Sequence, residues 1–402
     1  MRTKKFVFAV QGEGRGHLTQ ALTVYDVLVR QGHTVSCVIV GSSSNRQIPE
    51  FFTRKFSVPV VSVASPNFTT DKKSKSIRLG KTVLDNILRI NEYRRSLKTI
   101  GKLLDEHQPD LVINFYEPLI ALHAMTHKYP FRIIAIAHQY IYLHPRFRFP
   151  GGKNLQSIAI TEYTRLTAFG SKLQLAISMY NMPAAGNKKL QVCPPLLRKQ
   201  IFGLETTEED FILVYLLNSG YAQDIVRYHK KNPHIKLVCF TDSKEVREQH
   251  HGELRLHENL VFHSLNDVKF LDLMSRCRGL VCTAGFESVC EAMYLDKPVM
   301  MVPVKGHYEQ YCNARDASRI GAGIYAEEFN ISKIEECFLF YDKKKNAQYR
   351  EWVNGFESQF LNCIESLDRE PESQRVREPK ISEPERRRVS EPEPSTHARL
   401  EF

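Results

Sequence analysis

Short apolar runs recur along this chain at spacings that leave room for one helix between each pair. The first six are "KKFVFAV", "TVSCVIV", "VPVVSV", "DLVINF", "RIIAIA" and "LQLAIS". Runs this short, rich in β-branched residues and bounded by polar or glycine turns, read as buried strands. Residues 5 to 40 spell strand, glycine turn, helix from His17 to Arg30, Gly32 and strand, a βαβ unit. Repetition of that unit predicts a right-handed, mainly parallel sheet with helices on both faces.

The alternation breaks in "KKLQVCPPLLRKQIFGLETTEED", where Pro194 and Pro195 forbid regular helix or central strand. It restarts with "FILVYLL", "IKLVCF", "NLVFHS", "GLVCTAG", "PVMMVPV" and "GAGIYA", with helices expected from about Glu287 and about Glu309. The expected organisation is a first domain at 1–192, a linker at 193–209, and a second domain at 210–366 that includes closing helices. Both domains read as α/β, doubly wound and Rossmann-like. Their parallel sheets face across a cleft, which places ligands at the loops that follow strands. Residues 367–402 are rich in Pro, Ser, Glu and Arg, and are expected to stay disordered for want of apolar surface.

Composition narrows the partners. The chain of 402 residues is 42% hydrophobic and 25% charged, a globular balance, and carries a net charge of +11. The tail is close to neutral, so the positive excess sits on the folded part and favours an anionic partner. No apolar run approaches the roughly 18 residues of a membrane span, and no signal peptide is read at "MRTKKFVFAV". The nine cysteines contain no CxxC pair and mostly sit inside apolar runs. Buried thiols in a reducing cytoplasm are expected, with no metal site.

Two stretches carry chemistry. In "AVQGEGRGHLTQAL" three glycines lead into a helix that starts at His17. Bare backbone such as Gly14 and Gly16 admits close approach, and a helix N-terminus attracts anions. The spacing is neither a dinucleotide fingerprint nor a P-loop. His17 reads either as a satisfied residue of a tight turn or as a general base with a pKa near working pH.

The second stretch is "TAGFESVCEAMYLDKPVMMVPVKGHYEQYCNA". Free N–H groups from Gly285 through Phe286 and Glu287 to Ser288 suit a diphosphate. Glu291, one turn deeper, suits a ribose diol, and the loop ending in Glu309 and Gln310 suits sugar hydroxyls.

These stretches resemble the GT-B nucleotide-sugar glycosyltransferases, more narrowly the branch of the lipid II N-acetylglucosaminyltransferase and the diacylglycerol glycosyltransferases. "QGEGRGH" is similar to that family's "GGTGGH"-like loop, with His17 in the histidine's place. Gly285, Glu291 and Pro298 keep its spacing around a ribose-binding glutamate. Glu309, Gln310, Asn313 and Ala314 resemble its donor-sugar contacts, and "HQY", His138 to Tyr140, its acceptor-side segment. The resemblance implies diphosphate contacts at Asn218, Ser219 and Gly220, with Thr283 where relatives have a basic residue. It implies acceptor contacts at His138 and Gln139. The implied activity is inverting, metal-independent transfer of a hexose or N-acetylhexosamine from a nucleotide diphosphate, UDP-linked, with no cofactor. His17 is the expected base. Glu117, in the loop after "DLVINF", reads either as its carboxylate partner or as a simple surface residue.

The acceptor is expected to be a lipid or cell-envelope glycan. "TTDKKSKSIRLGKTVLDNILRINEYRRSLKTIGKLL" reads as a basic amphipathic helix, either on an anionic membrane surface at its inner face or packed on its own domain. "LHPRFRFPGGK" adds Arg146, Arg148 and Lys153. No nucleic-acid motif accompanies these charges. Two other readings fit the same residues: a non-catalytic nucleotide-binding regulator and a non-hydrolysing nucleotide-sugar epimerase. Transfer needs an acceptor, epimerisation does not, and a binding module turns nothing over.

Overall fold

Strand β1, Lys5–Gln11, is buried from Phe6 onward, so both its faces are covered and its apolar run needs no polar alternation. It lies at the centre of the first sheet. The computed structural model describes residues 2–43, 48–66, 86–216, 219–342 and 345–369. Around β1 stand β2 (Thr34–Ser42), β3 (Val60–Ala64), β4 (Leu111–Phe115), β5 (Arg132–Ala137), β6 (Ser171–Ile177) and β7 (Leu190–Cys193). Their order is β3-β2-β1-β4-β5-β6-β7, parallel throughout. The chain turns outward from β1 in both directions. That reversal leaves a crevice at the carboxyl ends of β1 and β4.

The second sheet repeats the plan with β8 (Ile212–Leu216), β9 (Leu237–Thr241), β10 (Glu253–His257), β11 (Leu260–His263), β12 (Gly279–Cys282), β13 (Val299–Met301) and β14 (Gly323–Tyr325). Their order is β10-β11-β9-β8-β12-β13-β14, and only the β10–β11 pair is antiparallel. Its reversal falls between β8 and β12. Two of these strands were not expected. β7 follows "KK" and runs into the two prolines, and β10, "ELRLH", is a polar edge strand with little apolar signal.

The helices that matter for the site are α1 (Gly16–Arg30), α2 (Ile90–His107), α3 (Pro118–Thr126), α4 (Leu155–Thr167), α5 (Ala222–Lys231), α6 (Asp267–Arg276), α7 (Phe286–Tyr294) and α8 (Tyr308–Arg319). α2 buries Tyr93, Ile100 and Leu104 in the first core, so the described part of the expected amphipathic segment packs on its own domain. Residues 69–85 of that segment lie outside the described residues, as does the tail from 370. No described helix is long and apolar enough to cross a membrane. All nine cysteines are buried free thiols.

The chain divides by contacts into residues 1–360 and residues 361–402. Both sheets belong to the first unit, and the second begins inside the last helix, α10 (Phe356–Arg369). The closing helices, expected with 210–366, touch both halves. α9 (Lys345–Asn354) packs on α7, where Tyr349 Oη donates to the Cys290 carbonyl at 3.0 Å, and with the start of α10 it also reaches the first sheet. Trp352 Nε1 donates to the Ser178 carbonyl at 3.0 Å, Glu357 pairs with Arg30 at 2.6 Å, and Gln359 Nε2 donates to the Val192 carbonyl at 2.8 Å. An aromatic core with Tyr116, Tyr140 and Tyr142 also takes in Cys312, with Tyr308 and Trp352 packed against it. Burying such rings contributes about 2 kcal/mol each, which helps make one unit of both sheets.

Candidate functional site

The glycine turn after β1 ends where α1 begins. Gly14 has φ of +100°, a conformation that strongly favours glycine. Gly16 opens the helix for another reason: a Cβ there would lie 2.5 Å from Oε2 of Glu287. The first expectation thus gains a specific cause. The missing side chain makes room for a residue of the second half.

His17 is 8% exposed and stacks on Tyr116, with ring centres 5.5 Å apart. Tyr116 itself sits at φ of +62°, a strained position for a non-glycine residue. Nδ1 of His17 lies 3.2 Å from Oε1 of Gln20, and Nε2 lies 3.5 Å from Nε2 of Gln139. Burial lowers its pKa, opposed by the charge of Glu309. The imidazole is therefore neutral near neutral pH, as a base must be.

Glu117 is not its partner. The carboxylate is fully buried and caps α3, where Oε1 accepts from Ser65 Oγ at 2.6 Å and from the Leu119 N–H at 3.0 Å. Oε2 has no partner, and burial pushes the carboxyl up to about 7. A residue just before Pro118 is placed to cap a helix, and capping took precedence over the expected pairing with His17.

Across the cleft, α7 starts at Gly285 with no side-chain cap, which leaves its first N–H groups open to an anion. Thr283 is buried in the preceding turn, and Ser288 Oγ donates to the Gly285 carbonyl at 3.1 Å. Phe286 stacks on His138 with centres 3.8 Å apart. Glu287 and Glu291 share the cleft face but serve different neighbours. Glu287 Oε1 accepts from Gln20 Nε2 at 2.5 Å, and burial raises its pKa to about 7. Glu291 forms a two-point ion pair with Arg198, at 2.6 and 2.5 Å.

Arg198 was not anticipated. It comes from the connection between the sheets, and with Arg15 it lines the same cleft as Thr283, Gly285, Ser288 and Glu291. Both guanidiniums reach Oδ1 of Asp267, from Arg15 at 2.6 Å and from Arg198 at 3.4 Å. The Glu291 side chain is 2% exposed and that of Asp267 36%, so Asp267 is the partner an incoming anion displaces more easily. These two cations line the cleft beside Thr283.

At the head of α8, Glu309 Oε1 accepts from Gln139 Nε2 at 3.0 Å. Gln310 points elsewhere: its Oε1 accepts from the Val304 N–H at 2.8 Å and holds the loop. Asn313 Oδ1 lies 2.8 Å from His138 Nε2, and its amide nitrogen donates to the Ala284 carbonyl at 3.2 Å. His138 Nδ1 faces the Ile177 carbonyl at 2.9 Å, and burial lowers its pKa. Ala314 is buried behind Asn313. Ser219 and Gly220 open a 3-10 turn ahead of α5, while Asn218 lies outside the described residues.

The structure therefore links Glu287, His17, Gln139 and Glu309 through side-chain contacts, packs His138 on Phe286, sets Glu287 and Glu291 in the cleft, and turns Glu117 and Gln310 away. Gln20 carried a usable signal, since three residues after His17 returns to the same helix face. Arg198 carried none, because a linker residue reaches a site only through tertiary structure.

Residues 4–340 match the glycosyl transferase family 1 profile. Among curated proteins, the chain is 24% identical over 336 residues to a UDP-N-acetylglucosamine–N-acetylmuramyl-(pentapeptide) pyrophosphoryl-undecaprenol N-acetylglucosamine transferase of Fusobacterium nucleatum, covering 78% of this chain and 83% of that protein. Among solved structures, it is similar to the calicheamicin glycosyltransferase CalG4, with a TM-score of 0.58 at 14% identity over 92% of this chain and 99% of the other. It is also similar to the spinosyn rhamnosyltransferase SpnG in complex with thymidine diphosphate, with a TM-score of 0.58 at 11% identity over 90% and 100%. With its two doubly wound sheets and matched residues, the chain belongs to glycosyl transferase family 1 and is a glycosyltransferase of the GT-B fold.

Proposed function

We propose that the chain transfers a hexose or N-acetylhexosamine from UDP to an acceptor hydroxyl in one inverting displacement, with His17 as base and no metal or cofactor. The observation that carries this reading is the placement of His17. Its Nε2 opens toward Gln139 and Glu309 while Nδ1 is held by Gln20, at the head of the helix facing the α7 N-terminus. The acceptor O–H breaks as Nε2 takes the proton, and the oxygen attacks the anomeric carbon from the face opposite the diphosphate. Base catalysis of this kind contributes about 10² to 10⁴ in rate. The leaving diphosphate rests on the α7 N-terminus and between Arg15 and Arg198, which supply fixed positive charge. Gly14 and Gly16 with His138 and Gln139 form the acceptor side. Ser219 and Gly220, in the turn ahead of α5, are assigned to the donor diphosphate.

UDP is favoured by the activity of the Fusobacterium relative and by Glu291, set one turn into α7 for a ribose diol. Arg198 must then release or share Glu291 as the nucleotide enters. The same relative acts on an undecaprenol-linked acceptor, which supports a lipid-borne acceptor here. The exposed apolar residues Leu155 and Ile158 beside exposed Arg146, Arg148 and Lys153 support an anionic membrane surface as its source, on the cytoplasmic face.

Calorimetric titration with UDP, with GDP and dTDP as controls, tests the donor assignment. Micromolar UDP binding that disappears in Glu291→Ala supports it. Equal affinity for dTDP removes the uridine preference, and no binding of any nucleotide overturns the donor site.

A further inference from the structure

Gln20 stands between His17 and a carboxylate from the opposite half of the cleft. Its amide donates to Glu287 Oε1 at 2.5 Å, and its Oε1 lies 3.2 Å from His17 Nδ1. The amide nitrogen faces Glu287 Oε1, which leaves the amide oxygen facing the imidazole. Only an N–H at Nδ1 then completes the bond. On the other side of the ring, the Gln139 amide nitrogen donates to Glu309 Oε1 at 3.0 Å and lies 3.5 Å from His17 Nε2. A donor rather than an acceptor therefore faces Nε2. Both sides specify the same tautomer, with its lone pair on Nε2.

Resting on the transferase reading above, we propose that Glu287 acts through Gln20 as the positioning residue that fixes His17 in the Nδ1–H tautomer and balances the imidazolium formed during transfer. When the acceptor O–H bond breaks and the N–H bond at Nε2 forms, the Nδ1 proton stays where it is. The new positive charge is stabilised through the Gln20 amide by the Glu287 carboxylate. The oxygen–anomeric carbon bond forms as the bond to the diphosphate breaks, and the proton on Nε2 later leaves to solvent.

His17 and Gln20 belong to α1 of the first half, and Glu287 to α7 of the second. Gly16 admits Glu287 by lacking a side chain, and Glu117, the carboxylate nearer in sequence, is committed to Ser65 and Leu119. The base is thus set by the half that holds the donor. Cleft assembly and base orientation become one event.

Long-range proton–nitrogen correlation spectra of histidine-labelled protein read the tautomer directly, with His17 assigned by its loss in His17→Gln. The expected result is an Nδ1–H pattern in wild type, lost to a tautomer mixture in Glu287→Ala and in Gln20→Leu. Glu287→Gln keeps an acceptor for Gln20 at equal size, so it retains the pattern and guards against misfolding in the other two. Turnover of UDP-N-acetylglucosamine, with water as acceptor, should fall at least about tenfold in Glu287→Ala with KM within about twofold. An Nε2–H pattern in wild type, or an unchanged pattern in Glu287→Ala, overturns the proposal. The spectra need no acceptor. Tautomer control without any sugar transfer by wild type would sink the transferase reading alone, and transfer with an unmoved tautomer would sink the relay alone.

Discussion

Glu291 holds Arg198 through both carboxylate oxygens, at 2.6 and 2.5 Å, although 93 positions separate the two residues in sequence. The pair joins the connection between the sheets to the second turn of α7 in the candidate donor site. Removing one member leaves the other charge buried and uncompensated.

Arg198→Ala should therefore lower stability by about 3 to 5 kcal/mol. Denaturant melts of wild type and variant give this directly. UDP affinity should fall as well, since the guanidinium faces the diphosphate seat, and titration calorimetry reports it. Glu291→Gln should cost less stability, because Arg198 keeps Asp267 at 3.4 Å as a charged partner and the amide oxygen can still accept from it.

His17→Ala should leave UDP binding within about twofold and cut turnover by about 10² to 10⁴. Undiminished turnover would remove His17 from the mechanism. The comparison of calorimetry with initial rates separates the two effects.

Glu117 makes stability depend on pH in the direction opposite to an ordinary ion-paired carboxylate. Its pKa rises from 4.5 to about 7 on folding, so the native state holds a proton that the unfolded state has lost between those values. Its contribution is intact below pH 4.5 and declines as pH rises through about 7. The gap corresponds to roughly 3 kcal/mol. Glu117→Gln should flatten that decline, so its Tm relative to wild type rises between acidic and mildly alkaline buffer. A constant difference in Tm across the range would show that Glu117 titrates normally.

Gly16→Ala should leave the fold nearly intact, because the atom its Cβ meets is the far end of the Glu287 side chain, 2.5 Å away. Displacing that carboxylate breaks the bond to Gln20. Thermal melts should move by only a few degrees, equivalent to about 1 kcal/mol. Turnover should fall as far as it does in Glu287→Ala.

The apolar runs showed both sheets before any coordinates, because central parallel strands are buried on both faces and carry an uninterrupted signal. β7 and β10 were missed where that signal fails, one beside two prolines and one on a polar edge. The site was legible as far as local spacing reaches. His17, Glu287, Glu291 and Glu309 each sit at or within two turns of a helix start, where glycines and turn residues announce them. Their partners were not. Gln20 pairs with Glu287 across 267 positions and Arg198 with Glu291 across 93, and no pattern within one element encodes such a meeting. Glu117 was misplaced because the sequence does not show that its carboxylate turns back to cap α3 and meet Ser65.

Amide and imidazole contacts link the two sides of the site: Gln20 with Glu287, Gln139 with Glu309, and His138 with Asn313. Each joins one residue from before the two prolines to one from after them. The halves of this enzyme are therefore not exchangeable parts. A chimera joined at Pro194 and Pro195 to a relative's second half would keep two well-formed sheets and lose the base, unless both members of each pair were carried over together. Specificity for acceptor and donor must then diverge in step, with the cleft contacts acting as a lock that only matched halves can close.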